Sequence, residues 1–196
     1  MREEVPLAAI HDAVLEFLRG RDDAVLFGAQ AVNAYVGEPR MSQDIDLVSM
    51  RAAELAEELR AHLSQRFHLA VRVREIGDKG YRLFQIQKPR NRHLVDLRKV
   101  ESLPRAERIE DVLVTSPPEL IAQKVISYCA RRGQPKSGTD WRDLAMLLLT
   151  FPELKQRDGV VREVLASRGV TEVVMDTWED LVTQELVETD NDGEFE

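Results

Sequence analysis

The stretch Asp44–Leu47, with the sequence DIDL, follows the small-residue turn Phe27–Ala29, with the sequence FGA. In a strand, residues two apart point to the same face, so Asp44 and Asp46 are expected to project together while the apolar residues beside them enter a core. Like charges held side by side repel, and a divalent cation such as Mg²⁺, which prefers carboxylate oxygens, removes that conflict. The turn offers a phosphate the free N–H groups of a following helix and no bulky side chain.

The composition is that of a protein with its own hydrophobic core. The chain has 196 residues, of which 43% are hydrophobic and 32% are charged, values that are ordinary for a folded domain. Its net charge of −8 argues against a broadly basic nucleic-acid surface, although a local basic patch is compatible with it. Cys129 is the single cysteine, so no internal disulfide can form and a reducing compartment is expected.

No segment of the sequence has the pattern of a membrane span or a targeting signal. The longest apolar run, 144–151, is shorter than the ~18 residues that a membrane span needs. Residues 1–6 contain no apolar stretch typical of a signal peptide, so a cytoplasmic protein without a membrane partner is expected. Residues 190–196 are rich in carboxylates and are expected to form a solvated acidic tail.

Hydrophobic spacing predicts an α/β (α+β) protein with two parts. Residues 1–115 are expected to form a core domain in which helices and strands alternate before three consecutive strands, which predicts a mixed β-sheet flanked by helices. A further short strand or an extended connector is expected at 109–114. Residues 116–189 are expected to form a helical subdomain. Its four helices are predicted at 117–131, from Thr139 or Asp140 to Leu149, at about 153–167 and at 171–188.

Asp96 adds a third carboxylate to the pattern. It lies in the run Leu94–Leu97, which otherwise has the character of a buried strand. A lone ionised carboxylate is costly to desolvate there, so Asp96 should have a partner or reach a cleft. Two interpretations remain open, namely pairing with Arg72, Arg92 or Arg98 on the sheet, or a place at the metal site.

Together these residues resemble the polymerase-beta-like nucleotidyltransferase superfamily. The shared pattern is a strand, a Gly-small turn, a helix, a strand with Asp-x-Asp and a later strand with one more Asp. The segment Arg40–Val48, with the sequence RMSQDIDLV, is especially similar to AbiEii-type toxins and related bacterial nucleotidyltransferases. The similarity continues downstream to Lys124 and to the DWRD block at Asp140–Asp143, and it covers about residues 24–149.

The resemblance implies a nucleotidyltransferase that moves a nucleoside monophosphate from a nucleoside triphosphate to an acceptor hydroxyl and releases pyrophosphate. One or two Mg²⁺ ions, for which Mn²⁺ could substitute, would be held by Asp44, Asp46 and Asp96. The residues implied to contact the nucleotide are Gly28, Ala29, Ser42 and Lys124. Those implied to bind the acceptor or to orient the other groups are Arg40, Asp140 and Asp143. His93, near Asp96 in the sequence, is a further candidate for such an orienting role.

Several alternatives remain open from the sequence. Lys124 could instead be a solvated helix lysine, and Asp140 and Asp143 could instead complement a helix dipole. The downstream block favours toxin-like transfer to RNA or protein, with a cognate antitoxin as a partner, over modification of an antibiotic. Active members usually carry Gly-Gly or Gly-Ser at the turn, whereas this chain has Ala29. That difference motivates a catalytically silent member that binds a nucleotide or a protein partner. In a third interpretation the acidic pair is structural.

Overall fold

A computed structural model describes residues 5–187, in which seven α-helices and seven β-strands are found. The helices are α1 (Leu7–Leu18), α2 (Gly28–Asn33), α3 (Ala52–Phe67), α4 (Pro117–Ala130), α5 (Pro135–Thr150), α6 (Val160–Ser167) and α7 (Glu172–Thr183). The strands are β1 (Val25–Phe27), β2 (Ile45–Ser49), β3 (Val71–Glu75), β4 (Gly80–Gln85), β5 (Arg92–Lys99), β6 (Ala106–Ile109) and β7 (Val112–Thr115). The chain divides into two compact units between Ser116 and Pro117. The predicted acidic tail lies outside the described residues.

The first unit is built on one mixed sheet with the strand order β3-β4-β5-β2-β1-β7-β6. β2 runs parallel to β5, and β1 runs parallel to β7. The other neighbouring strands are antiparallel. The combination of this mixed sheet with flanking helices confirms the predicted α/β class.

Alternation along the strands gives the centre of the sheet one apolar face and one face with polar groups. Ile45 and Leu47 are fully buried, as predicted. Helix α3 packs against β3, β4 and β5, and its buried leucines cover the apolar face. Asp46, between the two apolar residues of β2, points to the opposite face. The sheet therefore presents its polar side chains on the face that α3 leaves open.

The connection between β6 and β7 is a tight hairpin. The sequence predicted a short strand or a connector over 109–114, but this region contains the ends of two antiparallel strands. Glu110 and Asp111 form the turn, and both have positive φ angles, of 46° and 67°. Because Glu110–Asp111 lacks the Asn-Gly or Asp-Gly pair that usually marks such turns, the hairpin is hard to read from the sequence.

The second unit consists of helices α4 to α7, with α4 packed against the other three. Three of the predicted helix boundaries are wrong, and one of them is the end of α7, which lies at Thr183 instead of 188. Helix α5 begins at Pro135, several residues before the predicted start, since proline at the first helical position needs no N–H partner. The stretch predicted at 153–167 contains a 3₁₀ turn at Pro152–Leu154, and its helix begins only at Val160. Within residues 5–187, no helix is long and apolar enough to cross a membrane.

Candidate active site

The turn between β1 and α2 holds the Asp46 carboxylate directly against its backbone. Gly28 has a φ of +69°, and a Cβ added there would lie 2.1 Å from Oδ2 of Asp46. A side chain at this position would therefore collide with the carboxylate as well as strain the backbone. Phe27 is paired in register with Asp46 across the antiparallel β1–β2 ladder, which explains why the turn and the carboxylate meet. Ala29, the next residue, is buried.

Strand pairing brings two of the predicted carboxylates onto one row of the sheet. Asp46 and Asp96 are Cα partners in the parallel β2–β5 pair. Arg82 is the partner of Asp96 on the other side, in the antiparallel β4–β5 pair. Residues paired in register point to the same face, so Asp46, Asp96 and Arg82 lie side by side on the face opposite α3.

Asp44 reaches the same place by a different route from the one predicted. Strand β2 begins at Ile45, so strand alternation does not set the direction of the Asp44 side chain. His93 lies between two carboxylates: its Nδ1 is 3.0 Å from Oδ2 of Asp44, and its Nε2 is 3.1 Å from Oδ1 of Asp96. Donation from both ring nitrogens makes this imidazole a cation.

Arg82 is the guanidinium partner of Asp96. Its Nε and Nη2 donate to the two carboxylate oxygens at 2.7 and 3.0 Å, the fork geometry that gives strong, oriented ion pairs. The candidates that the sequence suggested as partners on the sheet were wrong. Arg98 lies over the ring of Phe27, 4.7 Å from its centroid, and Arg92 donates to the carbonyl oxygen of Val5 at 2.8 Å.

These contacts shift the pKa values of His93 and Asp96 in opposite directions. Hydrogen bonds to Asp44 and then to Asp96 raise the pKa of His93 to about 9. Burial by itself would raise the pKa of Asp96, but hydrogen bonds from His93 and Arg82 outweigh that effect and lower the pKa to about 2. Asp96 is therefore ionised throughout the physiological pH range.

The donor atoms of the site fit a divalent cation. Asp44, His93 and Asp96 each have one potential ligand atom, and these atoms lie within 4.8 Å of one another. His93 could bind a metal ion only after losing a proton, because the imidazolium has no free ring nitrogen. Carboxylate oxygens suit Mg²⁺ and Mn²⁺. Asp46 stands outside that group of three. Its strand register beside Asp96 nevertheless puts it next to the donors.

Ser42 and Arg40 lie in the segment that leads to Asp44. The Ser42 hydroxyl donates to the carbonyl oxygen of Asp44 at 2.8 Å. The Arg40 guanidinium donates to the Met41 carbonyl oxygen at 3.2 Å, and the side chain is partly buried. Their predicted contacts with phosphates and acceptor remain predictions.

The remaining predicted residues form a buried ionic cluster in the second unit. Lys124 Nζ lies 2.6 Å from Asp143 and 3.8 Å from Asp140. Asp140 also accepts from Arg131 at 2.8 Å. Lys124 is only 7% exposed and Asp143 is fully buried, so the solvated-lysine alternative is wrong. Because α5 begins at Pro135, neither aspartate lies in its first turn, which excludes the helix-dipole alternative.

The sequence interpretation did not identify Arg82 and gave His93 only a minor role. Both become visible only through long-range pairing, since the β4–β5 register puts Arg82 opposite Asp96. A register shift at Leu83–Phe84 further obscures which residues face each other. The available signal was weaker: His93 precedes Asp96 by three residues in a strand that also carries the carboxylate.

A mixed sheet that carries clustered carboxylates beside a glycine turn defines the class of polymerase-beta-like nucleotidyltransferases. A model of the family described as "Nucleotidyl transferase AbiEii toxin, Type IV TA system" matches residues 12–196. The chain belongs to this family and is a nucleotidyltransferase. No curated protein matches the chain in a direct comparison.

Solved structures share the fold of this chain. The Megavirus polyadenylate synthase has a TM-score of 0.59 at 13% identity, over 74% of this chain and 32% of that chain. JHP933 from Helicobacter pylori has a TM-score of 0.57 at 17% identity, and the match covers 89% of this chain and 87% of that chain. ANT(2")-Ia in complex with adenylyl-2"-tobramycin has a TM-score of 0.53 at 18% identity, and the match covers 84% of this chain and 95% of that chain. The chain thus spans about a third of the polyadenylate synthase.

Proposed function

We propose that this protein is a Mg²⁺-dependent enzyme that transfers a nucleoside monophosphate from a nucleoside triphosphate to an acceptor hydroxyl, with release of pyrophosphate. The observation that carries the proposal is the convergence of the Asp44, His93 and Asp96 donor atoms within 4.8 Å beside Asp46. Mn²⁺ could replace Mg²⁺, because the same oxygen donors suit both ions.

In this proposal each carboxylate acts mainly through its charge. Asp44, Asp46 and Asp96 would hold one or two divalent ions. When bound, such ions neutralise phosphate charge and favour the ionised form of an acceptor hydroxyl. The pKa of Asp96, about 2, makes this residue a weak proton acceptor by itself, so the site's contribution is position and electrostatics.

The nucleotide is proposed to lie at the β1–α2 turn. The close approach of Gly28 to Asp46 puts the turn's backbone beside a proposed metal ligand. Backbone N–H groups of Gly28 and Ala29 would meet the phosphates, and Ser42 would support them. The proposed contact of Lys124 with a phosphate would require it to share its charge with Asp143, 2.6 Å away.

An RNA acceptor is favoured over a protein or an antibiotic by an arginine row beside the site. Arg74 is paired with Arg82, and Arg82 with Asp96, across β3, β4 and β5, so these side chains share one face. Arg72 lies two residues before Arg74 and projects to the same face. Both are exposed, and within residues 5–187 neither forms an ion pair. On a chain of net charge −8, this local basic surface suits a phosphate backbone.

The first experiment measures nucleotide binding by calorimetry with each of the four nucleoside triphosphates, with and without Mg²⁺. Binding that requires Mg²⁺ and is lost in the double variant Asp44→Asn/Asp46→Asn is expected. Wild-type binding without transfer to any RNA, protein or aminoglycoside would favour the catalytically silent alternative. Retention of transfer activity in the double variant would refute the assignment of the carboxylates.

The acceptor is tested with labelled nucleotide and total RNA. The variant Arg72→Ala/Arg74→Ala is expected to label RNA more weakly. Its RNA affinity should also fall less steeply with salt concentration, because each phosphate contact adds to that dependence. Arg60→Ala/Arg66→Ala removes two charges from α3, on the opposite face, and serves as the matched control. Equal labelling by both double variants, or labelling of protein alone, would exclude an RNA acceptor at this face.

A cytoplasmic setting and a cognate antitoxin complete the proposal. The family match includes a toxin of a Type IV toxin–antitoxin system, which supports such a partner for this chain. Growth arrest on expression, relieved by a neighbouring gene, is the expected result. Arrest should disappear in Asp44→Asn/Asp46→Asn if it depends on transfer.

A further inference from the structure

The segment between α2 and β2 carries three of the predicted site residues. Helix α2 ends at Asn33 and β2 begins at Ile45, and residues 34–44 between them form no strand or long helix. Arg40, Ser42 and Asp44 therefore depend on side-chain contacts for their position. A metal ligand that precedes its strand in this way needs an anchor elsewhere in the fold.

The Asn33 side chain supplies an anchor at Arg40. Its Oδ1 accepts the Arg40 N–H at 3.0 Å, and its Nδ2 donates to the Arg40 carbonyl oxygen at 2.8 Å. One amide thus satisfies both backbone groups of one residue, which is the pattern of a β-ladder pair. The geometry requires an acceptor and a donor in fixed positions, so it restricts both the position and the rotation of the Arg40 peptide units.

The amide of Asn33 is itself oriented from the interior of the first unit. Nδ2 of Asn33 also donates to Oε1 of Gln30 at 3.4 Å, and Nε2 of Gln30 lies 3.2 Å from Nδ1 of His11. His11 is on α1 and is only 7% exposed. A continuous set of contacts therefore runs from the buried His11 of α1 through α2 to the segment before β2.

Only three residues, 41–43, separate the restrained Arg40 from Asp44. Ser42 donates from its hydroxyl to the Asp44 carbonyl oxygen at 2.8 Å, which tightens the last turn before β2. The Asp44 carboxylate then meets His93 at 3.0 Å. Fixing the Arg40 main chain thus fixes the starting point of the turn that directs Asp44.

We propose that Asn33 is a positioning residue of the active site, which directs the Asp44 carboxylate by binding both backbone groups of Arg40. The inference rests on the proposed function only in taking Asp44 as a metal ligand. The geometric part, that Asn33 directs Asp44 toward His93, holds independently of any metal.

The test compares Asn33→Ala and Asn33→Asp with the wild type. The aspartate keeps an acceptor for the Arg40 N–H but turns an oxygen toward the Arg40 carbonyl, so both variants lose the restraint. The Kd for Mn²⁺, measured by calorimetry, is expected to rise at least about tenfold, the usual effect of removing a residue that orients a metal ligand. The ring ¹⁵N chemical shifts of His93 are expected to change in metal-free protein, because its contact with Asp44 is loosened.

Val32→Ala serves as the control for lost stability. Val32 is fully buried on the same helix and its side chain offers no hydrogen bond to Arg40, so this variant should unfold more easily yet keep the wild-type Kd and His93 shifts. Wild-type Mn²⁺ affinity and His93 shifts in a folded Asn33→Ala would overturn the inference, as would equal changes in Val32→Ala. Wild-type protein that binds no Mn²⁺ would refute the proposed metal site, and the His93 shifts would then decide the inference alone.

Discussion

Gly28→Ala is the substitution that probes the candidate site most directly. An added Cβ would lie 2.1 Å from Oδ2 of Asp46, whereas non-bonded heavy atoms prefer about 3.5 Å or more. The carboxylate would therefore have to retreat by more than about 1 Å. A displacement of that size at a catalytic group typically costs about 100-fold in rate. The same change places alanine at a φ of +69°, which costs roughly 1–2 kcal/mol of stability.

Gly77→Ala separates the backbone cost from the collision. Gly77 also has a positive φ, of +50°, but an added Cβ would meet no atom within 4 Å. The backbone cost in Gly77→Ala should lower Tm by about 2–8 °C for a chain of this size, and Gly28→Ala, which adds the collision, should lose at least as much stability. Only Gly28→Ala should lose metal-dependent nucleotide binding.

The assay is calorimetric titration of Mn²⁺ and nucleoside triphosphate at a temperature where both variants are folded, with Tm from thermal unfolding. We expect wild-type affinity for Gly77→Ala and at least a tenfold weaker affinity for Gly28→Ala, consistent with a displaced metal ligand. Equal affinities in the two variants would show that the contact between the turn and Asp46 does not shape the site, and the reasoning would be refuted.

Three further predictions concern the charged groups. Asp143→Ala leaves Lys124 buried, with Asp140 as its remaining carboxylate partner at 3.8 Å. The free energy of unfolding, measured by urea titration, should fall by about 3 kcal/mol. A fall below about 1 kcal/mol, as expected for an exposed ion pair, would contradict this. In metal-free protein, His93 has a pKa of about 9, whereas its pKa in the unfolded chain is near 6.5. Protonated His93 therefore stabilises the fold fully below pH 6.5, and this contribution is lost progressively as the pH rises to 9. Unfolding of His93→Gln should therefore depend less on pH in that window; identical profiles would disprove the contribution. Arg82→Gln should raise the pKa of Asp96 above its value of about 2. The pKa can be measured from the pH dependence of the Asp96 carboxyl ¹³C chemical shift in NMR. An unchanged titration midpoint would argue against the ion pair between Arg82 and Asp96.

Much of the fold could be predicted because its signals are local. The period of apolar residues in 52–67 and the buried run around Ile45 indicate a helix and a strand without knowledge of any partner. The helix boundaries near Pro135 and Val160 were missed, because a proline at the first helical turn and a 3₁₀ turn look like a loop and a helix, respectively.

The candidate site was predictable only in part. Three features can be recognised from the sequence alone: the spacing of Asp44 and Asp46, the Gly28–Ala29 turn and the isolated Asp96 in an apolar run. The sequence does not contain the strand register that sets Arg82 beside Asp96, or the fold of the segment that brings Asp44 to His93.

The sequence alone thus determined the class of the protein and its α/β core, and it indicated the carboxylates that are proposed to hold a metal ion. Only the tertiary structure decided which cations neutralise those carboxylates, that Lys124 is buried with Asp143, and that Asn33 anchors the segment before Asp44. The physical reason is that helix and strand preferences arise from neighbouring residues, whereas ion pairs and anchors join residues brought together only by strand register and packing.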